Sequence, residues 1–183
     1  MAAAQEITIL GVDPGLQQTG LGLIVACRQD IRLRDCALLR TDSSAPLPAR
    51  LRELFDGMQQ ALCKWRPQAV VVEKLIYARN AQIALKLGNA RGVLLLAAEQ
   101  ENMPIAEYTP AEIKRAVTGN GAASKEQVHR MVKAIVSAPY FKSSFDVTDA
   151  LALAICHAHR AAPPASSEMP GGVSRGATSQ ARA

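Results

Sequence analysis

Apolar runs of strand length and apolar patterns of helical period follow one another along this chain in an order that few folds can satisfy. Ile7 to Val12 is an apolar-rich run too short for a helix, halted by Asp13-Pro14-Gly15, where Pro and Gly enforce a turn. Leu21 to Arg28 and Ile31 to Thr41 are two further β-like runs separated only by Gln29-Asp30, so the first three strands are expected to form an antiparallel meander. From Pro46 to Trp65 the period changes. Leu47, Leu51, Leu54, Phe55, Met58 and Leu62 recur at spacings of three and four, which predicts an amphipathic helix closed by Pro67. Ala69-Val70-Val71-Val72 reads as a short buried strand leading to Glu73, Asn80 to Gln100 as a long apolar helix, and Ile105 to Tyr108 as another short strand. Helices follow at Pro110 to Val117, Ser124 to Val136 and Asp146 to Arg160, the second opened by Ser124 with Gln127 three residues on, as in a capping box. The order β-β-β-α-β-α-β-α-α-α predicts an α/β fold, a mixed five-stranded sheet flanked by helices.

This pattern occupies residues 1–160, the expected folded domain. Residues 161–183 contain Pro163, Pro164, Pro170, Gly171, Gly172, Gly176 and four serines with no apolar period, and read as a disordered Pro/Gly/Ser/Ala-rich tail. The chain carries 21 Lys+Arg against 16 Asp+Glu, a formal +5. Removing the tail's Arg175, Arg182 and Glu168 leaves 19 against 15, so the excess belongs to the folded part. Lys74, Arg79, Lys86 and Arg91 lie in one stretch without an acid, either a solvated helix face or a phosphate-binding surface. The longest unbroken apolar run, Ala150 to Cys156, is far shorter than the roughly 20 residues of a bilayer-spanning helix. The N-terminus lacks a basic segment ahead of an apolar one, so no signal peptide is expected, and a cytoplasmic protein is. Cys27, Cys36, Cys63 and Cys156 are scattered without C-x-x-C spacing and are expected to be free thiols. Cys156-His157-Ala158-His159 has no second ligand pair, which argues against zinc.

The chemistry is expected at carboxylates. Asp13 and Glu73 each end an apolar strand, and the C-terminal rim of an α/β sheet is where sites concentrate. An Asp before Pro-Gly also serves as a plain turn residue. A Glu after three valines would be partly buried and needs a cation partner. Asp146 and Asp149 are three apart and share a helical face at the start of an apolar helix, where they serve either a site or the capping of the helix dipole. Together the four make an all-oxygen set suited to Mg²⁺ or Mn²⁺ rather than Zn²⁺, and without cations they would repel one another. Two such ions roughly 3.5–4 Å apart can activate water and stabilise the leaving 3′-oxygen in phosphodiester hydrolysis.

Gly11-Val12-Asp13-Pro14-Gly15, Val72-Glu73-Lys74, Ala84-Leu85-Lys86-Leu87-Gly88-Asn89-Ala90-Arg91-Gly92, Ile113-Lys114, Lys125 and Asp146-Val147-Thr148-Asp149-Ala150-Leu151-Ala152 match, in order and spacing, the RuvC-type Holliday junction resolvases. The resemblance runs from about Ile7 to Arg160. It implies a ribonuclease-H-like fold and a homodimeric, metal-dependent endonuclease that places paired nicks in a four-way DNA junction during recombination and repair, partnered by the RuvA–RuvB branch-migration complex. It also implies that Asp13, Glu73, Asp146 and Asp149 hold two Mg²⁺ ions, with Mn²⁺ able to substitute, and that Lys114 and Lys125 place or neutralise the scissile phosphate. Lys74, Arg79, Asn80, Lys86 and Arg91 become candidates for DNA contact, with helix capping as the other reading of Asn80. Family members often carry an aromatic three residues after the metal-binding Glu. Here Ile76 stands at that position and Tyr77 follows, which makes Tyr77 the candidate for base stacking.

Gly88 and Gly92 share a face of the long helix, with Leu85, Leu95 and Leu96 nearby. They allow close approach either of the chain's own sheet or of a second copy, and a two-fold dimer would match a junction with two equivalent strands. Three rival functions have weaker support. An actin-like ATPase or sugar kinase would need a second Asp-x-Gly hairpin and a second lobe. A non-catalytic junction-binding module leaves four rim carboxylates without purpose. A nuclease of the same fold acting on another branched or hybrid nucleic acid stays open.

Overall fold

The computed structural model describes residues 5–74, 81–137 and 144–161, and the expectations for Ile76, Tyr77, Arg79, Asn80 and the tail lie outside those residues, apart from Ala161 at the end of the last helix. Five strands and five helices form in the expected order: β1 Ile7–Asp13, β2 Gln18–Cys27, β3 Asp30–Arg40, α1 Leu47–Trp65, β4 Ala69–Glu73, α2 Ala81–Gln100, β5 Ile105–Tyr108, α3 Pro110–Thr118, α4 Lys125–Ile135 and α5 Phe145–Ala161. The sheet runs β3-β2-β1-β4-β5. The first three strands are the antiparallel meander, while β4 and β5 join parallel to β1, so the mixed five-stranded sheet is as expected.

Local chemistry accounts for most boundaries. β2 begins three residues earlier than its apolar run, because Gln18 pairs Arg40 and Gly20 pairs Asp13, and those ladders are nonlocal. Arg28, with φ of 56°, turns the chain out of β2. α1 ends ahead of Pro67 at Arg66, a left-handed residue whose N–H returns to the Leu62 carbonyl. The Ser124–Gln127 capping box forms as expected, and α3 has a second one, Thr109–Glu112, behind Pro110.

Alternation along β1 and β4 sorts two apolar layers. Leu10, Val12, Val70 and Val72 face α1 and α2, packing with Leu54, Met58 and Leu94. Ile9 and Val71 face the other way, into a core with Leu151, Ile155, Val117 and Val132 from α3, α4 and α5. With a side-chain period of two, Asp13 and Glu73 belong to this second face, beneath α5.

The approach of α5 depends on three sheet glycines. A Cβ on Gly11 would lie 1.8 Å from the Ala150 carbonyl oxygen, one on Gly20 2.0 Å from that of Asp146, and one on Gly22 2.7 Å from Leu151 Cγ. Gly11 and Gly22 are register partners across β1 and β2, and Gly20 is the partner of Asp13. The floor under the first turns of α5 is therefore bare backbone.

Among the described residues no helix is long and apolar enough to cross a membrane. The four cysteines are free, with Cys156 buried and Cys63 exposed on α1. His157 bonds the Tyr108 hydroxyl at 2.9 Å and His159 the Ala116 carbonyl at 3.1 Å, so the Cys-His-Ala-His run is divided among structural contacts.

Candidate active site

Val12 and Val72 are register partners in the parallel pair, and the next residue of each strand is Asp13 or Glu73. Two carboxylates thus stand side by side at the C-terminal rim for reasons of register alone. α5, lowered onto the glycine floor, brings Asp149 to the same place. A cavity of about 230 Å³ opens there, lined by Asp13, Glu73 and Asp149 together with Lys114 of α3 and Lys125 of α4. Apolar Pro110, Ile113, Val128, Ala152 and Leu153 form the rest of its wall. Asp146 faces the other side, lining a separate groove with Gly15 to Gln18.

The electrostatics are those of crowded anions. Burial, then the charges of Asp149, Glu73 and Asp146, push the Asp13 carboxyl up to about 8, with Lys125 opposing. Glu73 is raised by burial and by Asp149, against the pull of Lys125 and Lys114. Burial draws the Lys125 ammonium down, but its hydrogen bond to Asp149 and the charges of Asp149, Asp13 and Asp146 outweigh that and leave it raised. Lys125 Nζ lies 2.7 Å from Asp149 Oδ2, so this lysine partly neutralises the cluster.

Among the described residues no three His, Cys, Asp or Glu side chains already converge at metal-ligand spacing. The donor set nevertheless fits a hard divalent cation: every candidate is a carboxylate, and the neighbouring acids, after burial, hold the Asp13 carboxyl up.

Several supports of this site were not apparent from spacing. Thr148, fully buried, donates to the Phe145 carbonyl at 2.9 Å and meets His129 Nδ1 at 2.8 Å, tying α4 to the first turn of α5. Phe145 lies against His129, ring centroids 4.9 Å apart, with Lys125 Nζ 5.2 Å from its ring centre. Arg91 pairs with Glu107, and its Nε donates to the Glu73 carbonyl at 3.3 Å, so its guanidinium is committed inward behind Glu73. Lys74 is exposed one residue beyond Glu73, its N–H held by the Tyr108 carbonyl, and Lys86 is exposed on α2.

The family model described as crossover junction endodeoxyribonuclease RuvC matches residues 9–157. The chain belongs to the RuvC family. Among its relatives, the RuvC of Desulforamulus reducens is 43% identical over 150 residues, covering 82% of this chain and 92% of that protein. The RuvC of Syntrophotalea carbinolica is 44% identical over 151 residues, covering 82% and 93%. Of solved structures, T. thermophilus RuvC in complex with Holliday junction substrate superposes with a TM-score of 0.80 at 32% identity, covering 85% of this chain and 94% of that one. The yeast mitochondrial Holliday junction resolvase shares the fold at 13% identity, with a TM-score of 0.58 and coverage of 82% and 78%. The mixed sheet is thus the ribonuclease-H-like sheet of RuvC, and the paired carboxylates at its rim sit in a RuvC chain.

Proposed function

We infer that this protein is a crossover junction endodeoxyribonuclease that resolves Holliday junctions by hydrolysing one phosphodiester in each of two opposed strands. The observation that carries this is the cavity in which Asp13, Glu73 and Asp149 meet Lys114 and Lys125, in a chain of the RuvC family. Asp13, Glu73, Asp146 and Asp149 would hold the metal, two Mg²⁺ per site with Mn²⁺ able to substitute. Bound there, divalent cations supply an activated water and charge neutralisation at the leaving 3′-oxygen. The chain's own contribution is placement and charge. Lys114 and Lys125 line the same cavity as Asp13 and Glu73, where each can donate to a non-bridging phosphate oxygen as charge builds. Release of Asp149 by Lys125 frees both the ammonium for phosphate and the carboxylate for a cation. Lys74, Lys86, Tyr77, Arg79 and Asn80 are assigned to contacts with the junction, and Arg91 to fixing the strand end that carries Glu73.

Cutting two strands symmetrically calls for two sites, and α2 offers the means. Leu85 and Leu96 are 68% and 51% exposed, and a Cβ on Gly88 or Gly92 would meet nothing within 4 Å among the described residues. Packing against the chain's own sheet, one of the two explanations for these glycines, is therefore excluded. The face Leu85-Gly88-Gly92-Leu96 spans about 16 Å of helix and suits a second copy of the chain about a two-fold axis. The reading includes a cytoplasmic homodimer working with the RuvA–RuvB complex.

The test is incubation with a mobile four-way junction and a linear duplex, with Mg²⁺, Mn²⁺ or EDTA, beside Asp13→Asn. Paired, metal-dependent nicks confined to the junction, and binding without cutting by the variant, are expected. Equal cutting of the duplex, or undiminished cutting by Asp13→Asn, overturns the reading.

A further inference from the structure

Asp146 borders a depression distinct from the cavity that holds Asp13, Glu73 and Asp149. This groove, about 460 Å³ and twice the size of that cavity, runs between the β1–β2 turn and the first turns of α2. Its charged wall is Arg50 and Lys86 against Asp146 alone, with Gln17 and Gln18 along the turn. Much of that wall is fixed in advance. Arg50 Nε donates to Thr41 Oγ1 at 2.9 Å and Nη2 to the Leu16 carbonyl at 3.2 Å, while the Thr41 hydroxyl donates to that same carbonyl at 2.6 Å. The turn is closed on itself as well: the buried Thr19 hydroxyl donates to the Gly15 carbonyl at 2.8 Å and accepts from the Gly15 N–H at 3.2 Å. A Cβ on Gly15 would lie 2.2 Å from the Gln18 carbonyl oxygen, so the turn admits no side chain there. Lys86, by contrast, is exposed, on a flexible four-carbon stem.

We propose that this groove is a second phosphate subsite, holding a backbone phosphate of the cleaved strand next to the scissile one, with Lys86 as the charge contact and Arg50 framing the pocket. The inference rests on the nuclease reading above. In-line attack needs the strand held on both sides of the bond that breaks, since reacting atoms must stay aligned at near-contact distance. Lys114 and Lys125 line the cavity on one side of Asp146, and among the described residues the cations lining the groove on its other side are Arg50 and Lys86. Such a contact positions the strand and carries no sequence information.

The experiment uses the full chain and a four-way junction in EDTA, so that binding is read without cleavage. Junctions carry a single neutral methylphosphonate at successive positions flanking the cut site, and wild type is compared with Lys86→Gln. One lost phosphate contact lowers the slope of log Kd against log salt by about 0.9 per engaged subunit, so the affinity gap between the two proteins narrows about 3.5-fold per subunit from 50 to 200 mM salt. At one methylphosphonate position the two proteins should bind equally. Equal affinity and salt slope on the unmodified junction, or a gap that persists at every methylphosphonate position, overturns the subsite. Wild-type protein that does not cut junctions overturns the nuclease reading and the subsite together. Normal wild-type cutting beside an indistinguishable Lys86→Gln protein overturns the subsite alone.

Discussion

Asp13→Asn should abolish cutting and yet make the metal-free protein more stable. In the unfolded chain Asp13 ionises near 3.8, whereas in the fold burial and the charges of Asp149, Glu73 and Asp146 raise it to about 8. Between those values the folded chain keeps a proton the unfolded chain has lost. Stability is therefore fully present below about pH 4 and declines as pH rises toward 8. At about 1.4 kcal/mol per pH unit the ceiling on this loss is about 6 kcal/mol. Because four carboxylates share the repulsion and the cavity is open to water, removing one charge should recover about 2 kcal/mol at pH 8, a rise of about 4–8 °C in Tm for a chain of this size. Thermal or urea denaturation in EDTA from pH 5 to 8.5 reads the effect: a small gap at pH 5 that widens steadily. Added Mg²⁺ should stabilise the wild type more than the variant and close the gap, since only the native site binds the ion. A variant less stable than wild type at pH 8, or a gap independent of pH, would refute the argument that Asp13 is held under electrostatic load.

Gly11→Ala puts a methyl 1.8 Å from the Ala150 carbonyl oxygen and should cost about 3 kcal/mol or more in urea unfolding, with activity lost as α5 is lifted. Gly88→Ala meets nothing, so helix propensity alone should stabilise the subunit by about 1 kcal/mol, while sedimentation reports weakened self-association. Leu85→Glu places a charge on the exposed face of α2 and should leave particles of 19.5 kDa in sedimentation where wild type doubles that mass; a monomeric wild type at micromolar concentration would sink the dimer. Thr148→Val removes the hydroxyl shared by His129 and Phe145 and should cost about 1–3 kcal/mol of stability, with kcat falling more than KM changes; Thr148→Ser should restore both.

The legible part of this molecule is what each strand or helix declares about itself. Asp13 and Glu73 could be read as rim residues because each ends an apolar run, and Ser124 as a cap because Gln127 follows at the right distance. What escaped reading depends on partners far away in the chain. Arg91 looked like one more cation of a basic stretch, and only the packing of α2 against β5 commits it to Glu107 and to the backbone of Glu73. Asp146 and Asp149 share a helical face, yet the helix is seated so that Asp149 lines the cavity of Asp13 and Glu73 and Asp146 the neighbouring groove. The glycines are the plainest case. Gly11 and Asp13 are two apart on β1 and so lie on one face of the sheet. The first removes a side chain so that α5 can descend, and the second supplies the carboxylate that shares the cavity with Asp149 and feels the charge of Asp146, the acids this helix carries. Gly11 and Asp13 thus act on the same helix, and the absence of a side chain at residue 11 is as necessary to the proposed site as the charge at residue 13.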